Sequence, residues 1–429
     1  MLTRLQKISY GIGRLGSTTL LSAFSFAGFY LYWDVYKLDP KLSGVVSAVG
    51  KLAILINSII MGYLSDATRT RIGKRKPYII TGAPMLALSA ILYFTPFYFI
   101  SIEDKTALFY WGAFWSAAFN FFYGYLLTPF QAWMPEITEP AERITITTLQ
   151  NVSNILGNVI GVVFSFLVPR LYQGGLLLPV MIAFSILEVV LYMPSVLVIP
   201  VERKTVLTPK ISRDIVDLFK YKEFMLWEGV RMLMSAVETM ITALIVKYVS
   251  SVMGLGQDMA SVIFGVVMIV LVMGAFPFWG RQAKRIGKGP ALVRAAVILT
   301  FGLFMAPLPA FLPSSPLKTV AGLLAIILGA VGLSAYELFP YAVIADLAHW
   351  NESKTGLSRA GLFTGFEGIP INISQSLTYV FLGYLVSLPS FDGYEYTWGL
   401  VLWGPIAALM TLAAIGILRK TNIDPFKEQ

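Results

Sequence analysis

Apolar and polar positions alternate in long blocks along the chain of 429 residues. An α-helix needs about 20 mostly apolar residues to cross the hydrocarbon core of a bilayer. Runs of this length, bounded by charged residues or by Pro and Gly, recur along the whole sequence. They predict twelve transmembrane helices, at roughly residues 8–32, 42–64, 78–100, 107–133, 143–168, 176–199, 223–248, 259–280, 291–312, 318–345, 359–387 and 395–418.

The longest polar segment lies at the middle of the chain, at residues 201–223. It predicts a cytoplasmic linker, residues 201–222, between two bundles of six helices, residues 1–200 and 223–429. An internal repeat supports this division, because RIGK occurs at residues 71–74 after the second apolar run and again at residues 285–288 after the eighth. Pro129 and Pro340 form a weaker echo in the fourth and tenth runs, which we expect to be interrupted there. The predicted fold is an all-α membrane protein with two pseudo-symmetric bundles.

Charge is scarce and unevenly placed. Only 13% of the residues are charged and 56% are hydrophobic, whereas a soluble domain carries about 25% charged residues. If both termini are cytoplasmic, 23 of the 33 Lys and Arg residues lie in inner segments and six in outer ones. Cytoplasmic loops are enriched in Lys and Arg, so we expect this orientation in a cell membrane. Membrane orientation also accounts for the net charge of +9 without a nucleic-acid partner.

The composition excludes several kinds of chemistry. The chain has no cysteine and one histidine, His349, so we expect no disulfide, no metal site and no cofactor. The sequence GIGRLG at residues 11–16 matches a dinucleotide-binding pattern, but no strand precedes it. No nucleophile, base and orienting group stand out together, and we predict that the protein is not an enzyme. The first apolar run has no small-residue cleavage site and is expected to be a retained helix.

Several stretches resemble one family of transporters. The segment GYLSDATRTRIGKRKPYII, residues 62–80, resembles the loop between helices two and three of the major facilitator superfamily (MFS), specifically its melibiose-permease-like glycoside-pentoside-hexuronide:cation symporter branch. Similar stretches are YGIGRLG at 10–16, YWDVYKL at 32–38, PFQAWMPEITEPAER at 129–143 and VIADLAHWNESKTGLSRAGLFTGFEG at 343–368. The resemblance implies the MFS fold and a monomeric secondary transporter that moves a sugar or glycoside by alternating access, with a sodium ion or a proton.

The charged site of that branch is not preserved. Two carboxylates that help bind the coupling cation in the second helix are replaced by Ile54 and Ser58, on either side of Asn57. By the same resemblance, the sugar-binding aspartates of the first and fourth helices fall on Thr18 and Leu127, the arginine of the fifth on about Gln150 or Asn151, and the lysine of the eleventh on Asn372. Sodium coupling at the family site is therefore not expected, and the sequence favours proton coupling or facilitated diffusion.

Charges inside the predicted spans are the candidates for coupling. A charge near the bilayer centre normally faces the protein interior with a partner. Glu228 and Arg231 are spaced to neutralise each other on one helix, and Glu188 is expected to have a packing role. Glu238, Glu337 and Glu367 are predicted to carry a proton or, equally, to bind substrate or pair with Arg14 and Lys51.

Polar side chains that could bind a sugar occur in four spans. A buried amide needs hydrogen-bond partners, which a hydroxylated ligand can provide. The candidate substrate-binding residues are Thr18, Asn120, Gln131, Gln150, Asn151, Asn372 and the aromatic Trp115. The Trp and Tyr residues of the fourth span could equally pack helices or form an interfacial belt.

The RIGK loops are candidates for a cytoplasmic gate. Asp66 lies at a helix end and is expected to pair with basic residues at the inner ends of other helices, and the pairs are expected to release as the bundles rock. The candidate gate residues are Asp66, Arg69, Arg71, Lys74, Arg285 and Lys288.

Two other functions stay open at this point. Arg14 and Lys51 could clamp a carboxylate, which would favour an anionic substrate such as a sugar acid. A membrane sensor or scaffold that does not transport is the alternative from another class, because the family carboxylates are missing.

Overall fold

The computed structural model of the chain describes residues 2–138, 140–201, 218–256, 259–313, 315–355, 360–391, 393–394 and 396–424. The chain divides into two compact units, Met1–Thr208 and Pro209–Gln429. Most of the predicted linker, residues 202–217, lies outside the described residues. The described residues are almost entirely helical, which confirms the predicted all-α fold class; the bridge between Ser390 and Thr397 pairs two extended residues.

The described residues of the first unit form six long helices. They are α1 (Arg4–Tyr30, continued by a π-helical turn, Leu31–Val35), α2 (Pro40–Ala67), α3 (Lys76–Phe94), α4 (Lys105–Ile137), α5 (Pro140–Gln173) and α6 (Leu177–Val198). α1 packs mainly on α5 and α6, and α4 packs on α2 and α3. The core of the unit therefore lies along the contacts of α1 with α5 and α6 and of α4 with α2 and α3.

The second unit repeats the pattern with shorter pieces. Its helices are α7 (Lys222–Lys247, continued by a π-helical turn, Tyr248–Val252), α8 (Met259–Gly274), α9 (Phe276–Ile286), α10 (Lys288–Met305), α11 (Leu308–Phe311), α12 (Ser315–Leu338), α13 (Pro340–Thr355), α14 (Ala360–Val386) and α15 (Gly399–Leu418). α7 packs on α14 and α15, and α10 packs on α12 and α15.

Each predicted span overlaps one of these helices or a consecutive pair of them. Among the described residues, ten helical segments are long and apolar enough to cross a membrane. α1 and α4 are long enough but not apolar enough to be counted among them: α1 is rich in Gly, Ser and Thr, and α4 is rich in Trp and Tyr. Both pack against the other helices of the unit, so their polar side chains contribute to the interior.

Three predicted spans are broken. The ninth divides at Ala306 and Pro307, between α10 and α11. The eighth divides at Ala275, before Pro277 in the first turn of α9, and the tenth divides at Phe339, before Pro340. Proline has no N–H to donate and its ring clashes with the preceding turn. α4, however, runs on through Pro129, so the predicted interruption of the fourth span is wrong.

The two RIGK loops share one backbone feature. Gly73 has φ of 103° and Gly287 has φ of 97°, a region that residues with a side chain rarely adopt. Each glycine lies in the third position of its RIGK, so the sequence repeat is also a repeat of backbone conformation.

Glycines let α1 and α5 approach closely. A Cβ atom at Gly161 would lie 2.5 Å from the Cβ of Ser22, and one at Gly157 would lie 2.8 Å from the carbonyl oxygen of Leu15. Real Cβ atoms do not come this near, so Gly157 and Gly161, a GxxxG pair of α5, permit close helix packing within the unit.

The variant Gly161→Leu is expected to lose about 1–3 kcal/mol of stability, because the added side chain must push α1 away from α5. Thermal unfolding in detergent measures the loss. The matched control is Gly416→Leu, since a Cβ at Gly416 meets nothing within 4 Å. Equal melting temperatures for the two variants would contradict the close packing.

Candidate functional site

A polar seam joins α1 and α5 in the first unit. The Nε of Arg14 donates a hydrogen bond to the Oδ1 of Asn154 at 3.1 Å, and the Oγ1 of Thr18 donates to the same oxygen at 2.8 Å. Arg14 and Thr18 are one turn apart on α1, so both reach one amide. The Nδ2 of Asn154 makes no hydrogen bond to any residue that the structure describes. The structure thus brings together two predicted residues around a third, Asn154, that sequence reasoning missed.

The predicted amides have different environments. Asn120 and Gln150 are buried, and the Oδ1 of Asn120 and the Nε2 of Gln150 have no hydrogen-bond partner among the described residues. The Nδ2 of Asn372 donates to the carbonyl of Gly368 in its own helix at 2.7 Å. Gln131 and Asn151 are exposed. Gln150 is one turn before Asn154 on α5, so it extends the polar seam.

The aromatic residues of α4 pack mainly against other hydrophobic and aromatic side chains of the first unit. Trp133 and Phe119 are completely buried in the hydrophobic core of the unit. Trp115 is half-buried, with its ring centre 5.8 Å from that of Trp111 and 5.0 Å from that of Phe114. Trp115 is therefore part of an aromatic cluster.

The residues at the family cation site on α2 lie against α4. Asn57 is buried and its Nδ2 donates to the carbonyl oxygen of Phe121. Its Oδ1 has no partner among the described residues. Lys51 is also buried on α2, whereas the side chain of Ser58 lies outside the described part. Asn57 thus ties α2 to α4.

Arg231 links three helices of the second unit. Its Nε lies 2.8 Å from the Oε1 of Glu367 on α14, and its Nη1 donates to the carbonyl of Tyr336 on α12 at 3.5 Å. Glu228 is 1% exposed, and neither of its oxygens has a hydrogen-bond partner among the described residues. Arg231 interacts electrostatically with Glu228, as the helical spacing predicts, but its hydrogen bonds go to acceptors on two neighbouring helices.

Glu238 and Glu337 form an acidic pair in the same unit. They lie on α7 and α12, close enough to interact electrostatically, and Arg231 also acts on Glu337. The side chain of Glu337 is exposed and that of Glu238 is partly exposed. Around Arg231, the described helices α7, α12 and α14 thus bring together more carboxyl groups than cationic groups.

The predicted gate residue Asp66 belongs to a buried ion-pair network. It pairs with Arg75, and Arg75 Nη2 lies 2.6 Å from the Oε1 of Glu136 at the end of α4. Lys74 Nζ lies 3.0 Å from the same oxygen. Burial alone would lower the pKa of the Arg75 guanidinium, but the hydrogen bond and charge of Glu136, with those of Asp66, outweigh it and raise that pKa. Sequence reasoning missed Arg75 and Glu136, although both lie in the stretches that carry the family resemblance. Arg69 and Arg71 are exposed and lie outside the network.

The second unit has a reduced version of this network. Lys288, the repeat counterpart of Lys74, pairs with Asp346 and lies 3.6 Å from Asp424. The backbone N–H of Lys288 also donates to Asp424 at 2.7 Å, so the chain's last described residue caps α10. Arg285 is exposed. The repeat spacing of 214 residues places Gly280 and Gly289 where Asp66 and Arg75 stand, so the Asp66–Arg75 pair has no counterpart at these two positions.

The variant Glu136→Gln is expected to lose about 3–5 kcal/mol of stability, because it leaves the charges of Lys74 and Arg75 buried without their shared partner. Chemical or thermal unfolding of the purified protein measures the loss. Glu352→Gln is the control, since Glu352 is 42% exposed. A loss no larger than the control's would show that the network does not hold the loop.

The sequence matches a family described as MFS/sugar transport protein over residues 9–413. Among solved structures, the nucleoside transporter NupG superposes with a TM-score of 0.71 at 13% identity, covering 97% of this chain and 99% of that one. A D-xylose-proton symporter superposes with a TM-score of 0.64 at 12% identity, covering 96% and 95%. At these identities the structures establish the fold alone.

Two curated relatives are similar in sequence. An uncharacterised symporter of Synechocystis is 28% identical over 291 residues, which cover 65% of this chain and 49% of that protein. An isoprimeverose transporter of Lactiplantibacillus pentosus is 21% identical over 400 residues, which cover 89% and 80%. The family match spans nearly the whole chain and confirms the resemblance found in the sequence. The chain belongs to the MFS/sugar transport protein family, whose fold its helices display.

Proposed function

We propose that this protein is a secondary transporter that carries a neutral sugar or glycoside across a cell membrane in symport with a proton. Its relatives are transporters and symporters, one of them named for the disaccharide isoprimeverose. The observation that carries proton coupling is the acidic set around Arg231, in which Glu238 and Glu337 lie close together while Arg231 is bonded to Glu367.

The acidic set suits a proton better than a sodium ion. Two carboxyl groups that lie close together repel each other when both are ionised, and one bound proton relieves the repulsion. Sodium, by contrast, needs several oxygen ligands around one point. At the family cation site the described side chain of Asn57 uses its amide to bind the carbonyl of Phe121. Glu337, whose side chain is exposed, is the group we propose to load and release the proton.

The polar seam on α1 and α5 suits a hydroxylated substrate. Asn154 accepts two hydrogen bonds at its Oδ1 and carries an amide nitrogen that can donate to a sugar hydroxyl. Gln150 offers a second amide one turn away. We assign substrate recognition in the first unit to Thr18, Gln150 and Asn154, with Arg14 orienting Asn154.

The distribution of basic residues supports both termini on the cytoplasmic side. The Nζ of Lys7, near the start of the chain, lies 2.9 Å from the Oε1 of Glu142, at the start of α5. The same topology places the helix ends that carry Asp66, Arg75 and Glu136 on the cytoplasmic side. We propose that these three residues form the inner gate. We propose that the protein works as a monomer.

Uptake into proteoliposomes tests the substrate class. Labelled isoprimeverose is supplied with an excess of an unlabelled neutral sugar or of a sugar acid. We expect the neutral sugars to compete and the sugar acids to have no effect. Competition by sugar acids alone would instead support an anionic substrate, and sugar binding without any uptake would support a sensor.

A further inference from the structure

Glu188 is a buried carboxyl group that the proposed mechanism does not use. It lies in the middle of α6 and its side chain is 0% exposed. Neither Oε1 nor Oε2 has a hydrogen-bond partner in the part of the chain that the structure describes. An ionised carboxylate is rarely buried without a donor, because it loses its hydration and gains nothing in return. Its surroundings therefore favour the neutral acid.

α1 covers this carboxyl group directly. A Cβ atom at Gly16 would lie 2.4 Å from the Oε2 of Glu188 and 2.6 Å from its Cα. One turn further along α6, the hydroxyl of Tyr192 lies 3.0 Å from that of Ser17. Only a residue without a side chain at position 16 leaves room for Glu188, so α1 and α6 enclose the carboxyl group between them.

Arg14 is the charged group that acts on Glu188. It interacts electrostatically with both Glu188 and Tyr192, which are one turn apart on α6. Tyr192 is the titratable neighbour on the same helix. α3 packs on α6 with Ala87, whose carbonyl accepts a hydrogen bond from Ser185 at 3.1 Å. α1 is therefore the neighbouring helix that brings a charge to Glu188.

We propose that Glu188 is a proton-binding site of the first unit, and that its ionisation draws Arg14 away from Asn154. With Glu188 neutral, the Nε of Arg14 stays bonded to the Oδ1 of Asn154 and holds that amide in place. With Glu188 ionised, the guanidinium gains an acceptor of opposite charge, which forms the stronger hydrogen bond. Proton occupancy at Glu188 thereby sets the geometry of the sugar-binding amide, and this role rests on the proposed sugar transport.

Infrared difference spectroscopy of the full chain tests the proton site without any sugar. Spectra recorded between about pH 5 and about pH 9 show the carbonyl stretch of a protonated carboxyl group as it is lost. We expect one band that the wild type and Glu352→Gln share and that Glu188→Gln lacks. An unchanged set of bands in Glu188→Gln would overturn the proposal.

Sugar binding tests the link to Asn154. Isothermal titration with isoprimeverose is expected to give an affinity that falls about tenfold between the low and the high pH in the wild type, a coupling of ordinary size. Glu188→Gln and Arg14→Gln are both expected to reduce that pH dependence, because either change removes the attraction and leaves only the proton coupling proposed at Glu337. A pH dependence as large in both variants as in the wild type would overturn the link. Absence of any sugar binding in the wild type would instead contradict the proposed function and leave the infrared result to decide on Glu188.

Because Glu188→Gln replaces an acid by a neutral group of the same shape, it is expected to fold. If it does not, Glu188→Asp gives an independent measurement, since it keeps a carboxyl group at this position and draws it back from Gly16. In that variant the infrared band is expected to shift in frequency. A band identical to that of the wild type would count against Glu188 as its source.

Discussion

Replacing Glu337 by Gln is expected to abolish proton-driven accumulation of sugar. A gradient of one pH unit supplies about 1.4 kcal/mol per proton, which corresponds to about a tenfold concentration ratio for symport with one proton. The variant keeps the shape of the side chain but cannot release a proton beside Glu238. The ratio of internal to external sugar is therefore expected to fall from about ten to about one, while exchange of labelled sugar across the membrane continues.

Two further variants provide a control and a second test of this result. Glu352→Gln, on the exposed end of α13, is expected to accumulate sugar like the wild type. Glu238→Gln is expected to behave like Glu337→Gln, because either change removes one member of the acidic pair. Accumulation that persists in both variants of the pair would rule out this pair as the coupling site.

Replacing Arg231 by Gln is expected to destabilise the second unit by about 3–5 kcal/mol, because Glu367 then keeps a buried charge without its partner. The side chain of Glu367 is 9% exposed, so water cannot replace the arginine. Glu228, which interacts electrostatically with both Arg231 and Glu367, then loses the arginine and keeps the carboxylate. Melting temperature and the yield of folded protein in detergent measure the effect.

The double variant Arg231→Gln/Glu367→Gln is expected to recover most of the lost stability, because both charges of the pair are then removed. Comparing the single and double variants separates the contribution of the ion pair to stability from that of the packing of the two side chains. A double variant as unstable as the single one would show that Arg231 acts through Glu228 or Tyr336 and that its bond to Glu367 contributes little.

The positions of the helices could be predicted from the sequence because the bilayer fixes the length of an apolar run. The RIGK repeat was informative for a local reason, since Gly73 and Gly287 both adopt a positive φ. The predicted break at Pro129 failed, however, while the break at Pro340 occurred. A single proline does not decide between a kink and a continuous helix, because the neighbouring helices determine whether the freed carbonyl finds a donor.

The candidate site was only partly predictable. Thr18 was identified from the family resemblance and Arg14 as a charge inside the first span, and the structure joins them at Asn154. Asn154 was missed because its role depends on the contact between two helices that are distant in sequence. The hydrogen-bond acceptors of Arg231 were missed for the same reason. Helical spacing gives the residues that can meet on one helix, whereas Arg231 found its acceptors on α12 and α14.

Accumulation of labelled sugar in proteoliposomes, under a proton gradient and separately under a sodium gradient, tests the central claim most directly. With a proton gradient of one pH unit, the wild type is expected to concentrate the sugar about tenfold. With sodium alone, it is expected to reach only the external concentration. Accumulation driven by sodium and not by protons would contradict proton coupling at the acidic set, and equilibration under both gradients would identify the protein as a facilitator.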